Sequence, residues 1–223
     1  MTQSPPIPKP SNPWPVIGLV GGIGSGKSSV ANMFADSGCK IIGSDEAAHA
    51  ALLDAEIKAQ IIAVFGMSIV NEQNNIDRGR LGSVVFSDVQ KLTRLNAIVH
   101  PYVARYRDQC MEKYRHEGHL AAVVLDSPLL IESGLHAQCD AVVYVHCGDQ
   151  LRFSRVQKNR GWTLDDWKKR ESAQCPLDKK LEISHYVVSN EADRPHTAAQ
   201  VNWVLTCITR DFQRNHRLRG TGS

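Results

Sequence analysis

The chain has 223 residues, 42% hydrophobic and 22% charged, with a net charge of +3. That composition supports one ordinary globular core with room for inserted subdomains, and so mild a charge excludes bulk nucleic-acid binding. No apolar run approaches the ~20 residues of a membrane span, and no basic-then-apolar secretory pattern opens the chain. The expected setting is therefore the cytoplasm, with neither a membrane nor a nucleic acid as partner.

Residues 1–15 carry Pro5, Pro6, Pro8, Pro10, Pro13 and Pro15. Prolines at this density favour extended, unpaired backbone, so the segment reads as a disordered leader. Val16 to Val20 is a short apolar run ending in glycines and predicts a buried strand. Val30 to Phe34 continues as a helix, and Cys39 to Ile42 is a second strand. Roughly 70 residues separate it from the next strand, too many for one crossover, so they predict a helical subdomain. Leu120 to Leu125 and Ala141 to His146 are further strands, and Tyr186 to Val188 is a weaker fifth. Runs without alternation suit strands covered on both faces, hence a parallel sheet between layers of helices. Val201, Val204, Leu205, Ile208 and Phe212 share one face of a last helix. The basic residues after it (Arg210, Arg214, Arg217, Arg219) read as a solvated terminus. Six scattered cysteines without a C-x-x-C pair read as free thiols, and His116 with His119 as a solvated turn.

The densest motif is G-G-I-G-S-G-K-S at Gly21 to Ser28, which matches G-x-x-x-x-G-K-[ST] between a predicted strand and a predicted helix. Glycines let the backbone curl so that successive N–H groups point at phosphate oxygens. The helix that follows adds its positive end. Gly22, Ile23, Gly24, Ser25, Gly26, Lys27, Ser28 and Ser29 are thus the candidate ATP-binding residues. Lys27 is placed for the β- and γ-phosphates, and Ser28 for Mg²⁺. The N-K-x-D motif of guanine-nucleotide switches and the L-S-G-G-Q motif of transport ATPases are absent, and the short chain with its inserted basic segments favours a kinase for a small acceptor.

Asp45 follows the second strand, where open parallel sheets bind ligands. It is either a general base for an acceptor hydroxyl or a helix N-cap. Asp126 ends the third strand and is either a metal-site carboxylate or a solvated loop residue. Arg155 to Lys180 holds eight lysines and arginines against four acidic residues. Thr163 with Asp166 forms a capping pair there. The segment is either a solvated charged helix or a basic lid that closes over phosphates, with Arg160 and Arg170 as its candidate arginines.

Beside these residues, the segments S-D-E-A-A-H, F-G-x-x-I-V, I-D-R-G-R-L-G, V-F-S-D, I-V-H-P, L-D-S-P-L-L-I-E-S-G, R-G-W-T, R-E-S-A-Q-C-P-L-D-K-K and Y-V-V-S-N closely resemble the dephospho-coenzyme A kinases, from about Ile17 to Asn202. The resemblance implies an α/β P-loop NTPase-type three-layer fold with a mainly parallel sheet, a helical acceptor-binding insertion and a lid. It implies a core at 16–45, 119–154 and 185–216, an acceptor-binding subdomain at 46–118, a lid at 155–184 and a flexible tail at 217–223. The implied reaction moves the ATP γ-phosphate to the ribose 3′-hydroxyl of dephospho-coenzyme A, with Mg²⁺, in a monomer or weak homo-oligomer. Asp45 matches the second aspartate of the family's D-x-D segment, the base, while Gly43 replaces the first. Asp126, Pro128, Leu129, Leu130 and Glu132 match the acceptor-lining segment, and Arg78 and His100 match the acceptor-side subdomain. Arg160 matches the lid arginine, with Arg155 as the alternative because N-R-G-W stands where R-D-G is common. Asn190 matches a position near the adenine. The alternatives from other classes are a nucleoside monophosphate kinase and a non-catalytic nucleotide-binding protein.

Overall fold

The computed structural model describes residues 12–85 and 88–220. The chain divides into two compact units, one formed by Ile42–His116 and the other by the segments ending at Ile41 and starting at Glu117.

The sheet has five strands: β1 (Val16–Gly21), β2 (Lys40–Gly43), β3 (Val123–Asp126), β4 (Ala141–His146) and β5 (Tyr186–Ser189). Their order is β2-β3-β1-β4-β5. β1 runs parallel to β3 and β4, with Ile17 opposite Val124 and Ala141, and β4 runs parallel to β5. Every residue of β1 is buried, as its unbroken apolar run requires of a central strand. Gly18 in its middle is a packing glycine: a Cβ there would meet Leu130 Cδ2 at 2.5 Å and Cys139 Sγ at 2.9 Å. The core joins these strands to α1 (Lys27–Asp36) and α9 (Arg194–Gly220) through Phe34, Val30, Val201, Val204 and Ile208. Truncating Phe34, 0% exposed, removes a side chain of the kind that costs about 3–5 kcal/mol.

Between β4 and β5 lie α6 (Asp149–Arg160), α7 (Leu164–Ser172) and α8 (Leu177–Ile183). α7 opens on the predicted capping box, with Thr163 and Asp166 bonded to each other's backbone N–H. In the second unit α2 (Ser44–Leu53), α3 (Ala55–Phe65) and α4 (Arg78–Val85) pack on α5 (Val89–His116). Ile57, Ile61, Ile69, Leu81 and Val99 form its own core.

Three expectations shift. Residues 1–11 of the expected leader lie outside the described residues, but Trp14 is 2% exposed, Asn12 is buried, and Val123 donates its N–H to the Pro15 carbonyl. Burial of one large indole outweighs the openness that prolines favour, so the leader reading fails over 12–15. The third strand starts at Val123 rather than Leu120. Before it, Ala121 donates to the Gly38 carbonyl and Ala122 accepts from Lys40. At the other end α9 continues through Gly220, into the segment expected as a tail, where Arg217 and Leu218 are good helix formers.

Candidate active site

The site begins where β1 stops. Gly24 and Gly26 take φ of 86° and 85°, a region that disfavours any side chain, and Ser25 closes a turn by donating to the Gly22 carbonyl at 3.1 Å. Among the described residues, the amides of Ile23, Gly24 and Gly26 meet no protein acceptor. Those of Lys27 and Ser28 open α1, where first-turn N–H groups have no helical partner. Five clustered donors without acceptors, at the positive end of a helix, form an anion site.

The loop's carbonyls are, by contrast, held. Lys27 Nζ folds back to the Gly21 and Gly22 carbonyls, 3.3 Å from each. The Ile23 carbonyl accepts from Arg152 Nη1 at 3.2 Å and Trp167 Nε1 at 3.3 Å. The Ser25 carbonyl accepts from Asn190 Nδ2 at 2.8 Å and Arg155 Nη1 at 3.3 Å. Lys180 Nζ adds a 3.5 Å contact to the Gly21 carbonyl. The glycines leave room for these braces: a side chain at Gly22 would run into the Arg152 guanidinium, and one at Gly26 into the Asn190 amide. Arg152, 1% exposed, is itself paired with Glu171 and Asp149 and lies over the Trp167 ring. Its charge is thus compensated where burial alone would be expensive. Burial, with Lys180 as the next cause, pushes the Lys27 pKa down to about 8.

Ser28 Oγ donates to Asp126 Oδ2 at 2.8 Å. This serine hydroxyl and carboxylate are exposed or half-buried, and they are the hard oxygen donors that a magnesium ion takes alongside water and phosphate. The two residues expected at the metal therefore lie together.

The structure separates the remaining expectations. Pro128 is half-buried, and Leu129 and Glu132 are exposed. Leu130 is 1% exposed and packed over Gly18; it is a core residue, which corrects its expected place in the acceptor lining. Asn190 is buried, and its side-chain amide donates to the Ser25 carbonyl of the loop. Arg155 is bound to the Ser25 and Asn190 carbonyls. Arg160 is exposed and stacks on Trp162, its Cζ 4.8 Å from the ring centroid, with Arg170 at 4.3 Å. Arg160 is also among the cations that lower the Lys27 pKa. Of Arg155 and Arg160, Arg160 is the one whose guanidinium makes no hydrogen bond or ion pair among the described residues.

In the helical unit, Asp45 lies in the first turn of α2, whose N-cap is Gly43 with no side-chain cap bond. The N-cap alternative for Asp45 is set aside. Gly43 has a φ of −89° and a Cβ there would meet Glu46 Cβ at 3.7 Å, so the backbone does not demand glycine. Arg78 begins α4 and His100 precedes Pro101 within α5; both are exposed. Arg152, Trp167 and Lys180 were not among the candidate site residues, and each reaches the loop from more than 120 residues away.

Strand, glycine loop and helix on a parallel sheet of this order define a P-loop nucleotide-binding protein of the kinase type. The particular family follows from comparison: a family model described as dephospho-CoA kinase matches residues 15–196, and the chain belongs to that family. Dephospho-CoA kinases of Geobacillus kaustophilus and Thermobifida fusca are 38% and 37% identical to it. The alignments cover 85% and 83% of this chain and 94% and 92% of theirs. A crystal structure of a Thermus thermophilus protein superposes with a TM-score of 0.75 at 28% identity, covering 88% of this chain and 98% of that one. No helix among the described residues is long and apolar enough to cross a membrane. The nucleoside monophosphate kinase alternative gives way to the family match.

Proposed function

We propose that this chain transfers the γ-phosphoryl group of ATP to the ribose 3′-hydroxyl of dephospho-coenzyme A, in the cytoplasm, as a monomer or weak homo-oligomer. The observation that carries the reading is the set of acceptor-free amides at Ile23, Gly24 and Gly26, in a loop closed by Lys27, in a member of the dephospho-CoA kinase family. The loop and the start of α1 bind the ATP phosphates. Lys27 leaves its two carbonyls for the β- and γ-phosphates and neutralises charge that builds as the phosphoryl group moves. Arg160, exposed at the end of α6, supplies a second cation there as the lid arginine. Ser28 and Asp126 hold Mg²⁺, which neutralises phosphate charge when bound. Asp45 accepts the proton of the attacking hydroxyl, and Arg78, His100, Pro128, Leu129 and Glu132 bind the acceptor.

A coupled assay for ADP release tests the reading. With ATP and Mg²⁺ present, dephospho-coenzyme A should support turnover, and AMP, CMP and adenosine should give at most a few per cent of that rate. Equal rates with AMP or CMP would overturn the acceptor assignment.

A further inference from the structure

Lys180 sits at the foot of the phosphate loop and is 2% exposed. Its Nζ donates to Gln174 Oε1 at 2.9 Å and to the Gly21 carbonyl at 3.5 Å. Lys27 Nζ donates to the same carbonyl at 3.3 Å, so two ammonium groups converge on one oxygen. Burying an ammonium group is costly unless an opposite charge meets it. Among the described residues, no carboxylate lies within salt-bridge distance of Lys180. Glu132 and Glu171 act on it from farther off, Arg152 repels it, and burial is the largest influence, holding its pKa below the ordinary lysine value. An ammonium group has three donors, and two are taken. Among the described residues, the Ile23, Gly24 and Gly26 amides of the loop beside it meet no protein acceptor. A buried cation and a set of free amides, side by side, lack the same thing, an anion.

We propose that Lys180, oriented by Gln174, is a second phosphate-binding cation of the site, whose counter-charge is the polyphosphate of the bound nucleotide. Its third N–H and its charge meet a phosphate oxygen from the foot of the loop. It has a second consequence. When Lys27 turns from the Gly21 carbonyl to a phosphate, that carbonyl keeps Lys180 as a donor and is not left without a partner. Gln174 contributes as a neutral acceptor: it fixes the ammonium group without neutralising it, so the full charge remains for the ligand. The inference rests on the reading of Gly21 to Ser28 as the ATP phosphate site.

The test compares wild type with Lys180→Met, which keeps length and removes charge. Binding of ATP and of adenosine is measured by calorimetry, and thermal melting is followed without ligand. ATP affinity should fall about 10- to 100-fold, the loss of one charge-assisted hydrogen bond. Adenosine, which has no phosphate, should bind as before. The ligand-free melting temperature should hold or rise, because an unpaired buried charge has gone. Unchanged ATP affinity would overturn the role, as would equal losses for ATP and adenosine with a lower melting temperature. If Lys180→Met does not fold, ¹⁵N spectra of the wild-type lysine ammonium groups decide. The Lys180 signal must move with ATP and stay still with adenosine; a signal that ignores ATP overturns the proposal. A wild type that fails to bind ATP overturns both this and the functional reading, whereas ATP binding shared equally by wild type and variant overturns this one alone.

Discussion

Around the phosphate loop, the carbonyls of Gly21, Gly22, Ile23 and Ser25 all have donors, drawn from Lys27, Arg152, Arg155, Trp167, Lys180 and Asn190. In the helical unit, Asp45, Arg78 and His100 are exposed. Among the described residues their side chains make no hydrogen bond or ion pair. The loop is thus preorganised before a ligand arrives, these four carbonyls held and the amides of Ile23, Gly24 and Gly26 left free. That arrangement lets electrostatic stabilisation act without reorganisation during the reaction. Asp45, Arg78 and His100 carry no such brace, and their protein environment leaves their polar groups open to a substrate. Substitutions in the two regions should therefore have different signatures: chemistry alone on the bare side, chemistry mixed with stability on the braced side.

The sharpest break would come at Asp45. Asn has the same shape but cannot take a proton at neutral pH. With no cap bond to lose, Asp45→Asn should leave the melting temperature and ATP affinity as they are. Turnover should fall by roughly 10²- to 10⁴-fold, the range for a lost general base. Because phosphoryl transfer asks little covalent help of the protein, the loss belongs toward the lower end. Steady-state kinetics beside a thermal melt measure both. Near-normal turnover in folded Asp45→Asn would remove the base from the mechanism.

Next in size is the contrast between two arginines on one helix. Arg160 is exposed and stacked on Trp162, while Arg155 is bonded to two carbonyls. Arg160→Ala should cut kcat by about 10- to 100-fold and change ATP affinity far less, as expected of a cation whose contact strengthens in the transition state. Arg155→Ala should instead lower the melting temperature, by the few degrees that about 1–3 kcal/mol represents, and weaken ATP binding with it. The reverse pattern, measured in parallel, would make Arg155 the lid arginine and Arg160 a surface residue.

What the sequence made legible follows the range of the interactions involved. The phosphate loop, its strand and its helix are contiguous, and their residue types are dictated by local backbone needs at Gly24 and Gly26. The α7 capping box is likewise local, spanning Thr163 to Asp166. The braces are not local. Arg152 and Lys180 lie among basic residues most of which are solvated; Lys180 ends a family segment, R-E-S-A-Q-C-P-L-D-K-K, but the segment does not say that its ammonium group turns to the loop. Leu130 was misplaced for a related reason: it stands in a segment matched to acceptor binding, yet its side chain fills the space that Gly18 leaves beside β1. Family motifs identify positions, and tertiary packing decides which way each side chain turns.

The smallest predicted effect sharpens the braced side. Trp167 donates Nε1–H to the Ile23 carbonyl, and its ring lies 5.6 Å from Phe153 and 4.9 Å below Arg152. Trp167→Phe keeps an aromatic ring for both neighbours and deletes the donor. The carbonyl is not orphaned, since Arg152 still reaches it at 3.2 Å, so the full penalty for an unsatisfied buried group does not apply. One ordinary hydrogen bond is worth about 0.5–1.5 kcal/mol, and the smaller ring adds a partial cavity term, so a loss near 1–2 kcal/mol is expected. On the fold, this appears as a melting temperature lowered by a few degrees. On the site, it appears as an ATP dissociation constant raised about two- to fivefold, with kcat unchanged, because a looser loop must be reordered on binding while the transition-state contacts stay the same. If the melting temperature falls and ATP affinity does not, the brace serves the fold alone. The free amides of Ile23, Gly24 and Gly26 would then owe their order to the glycine turns and the start of α1.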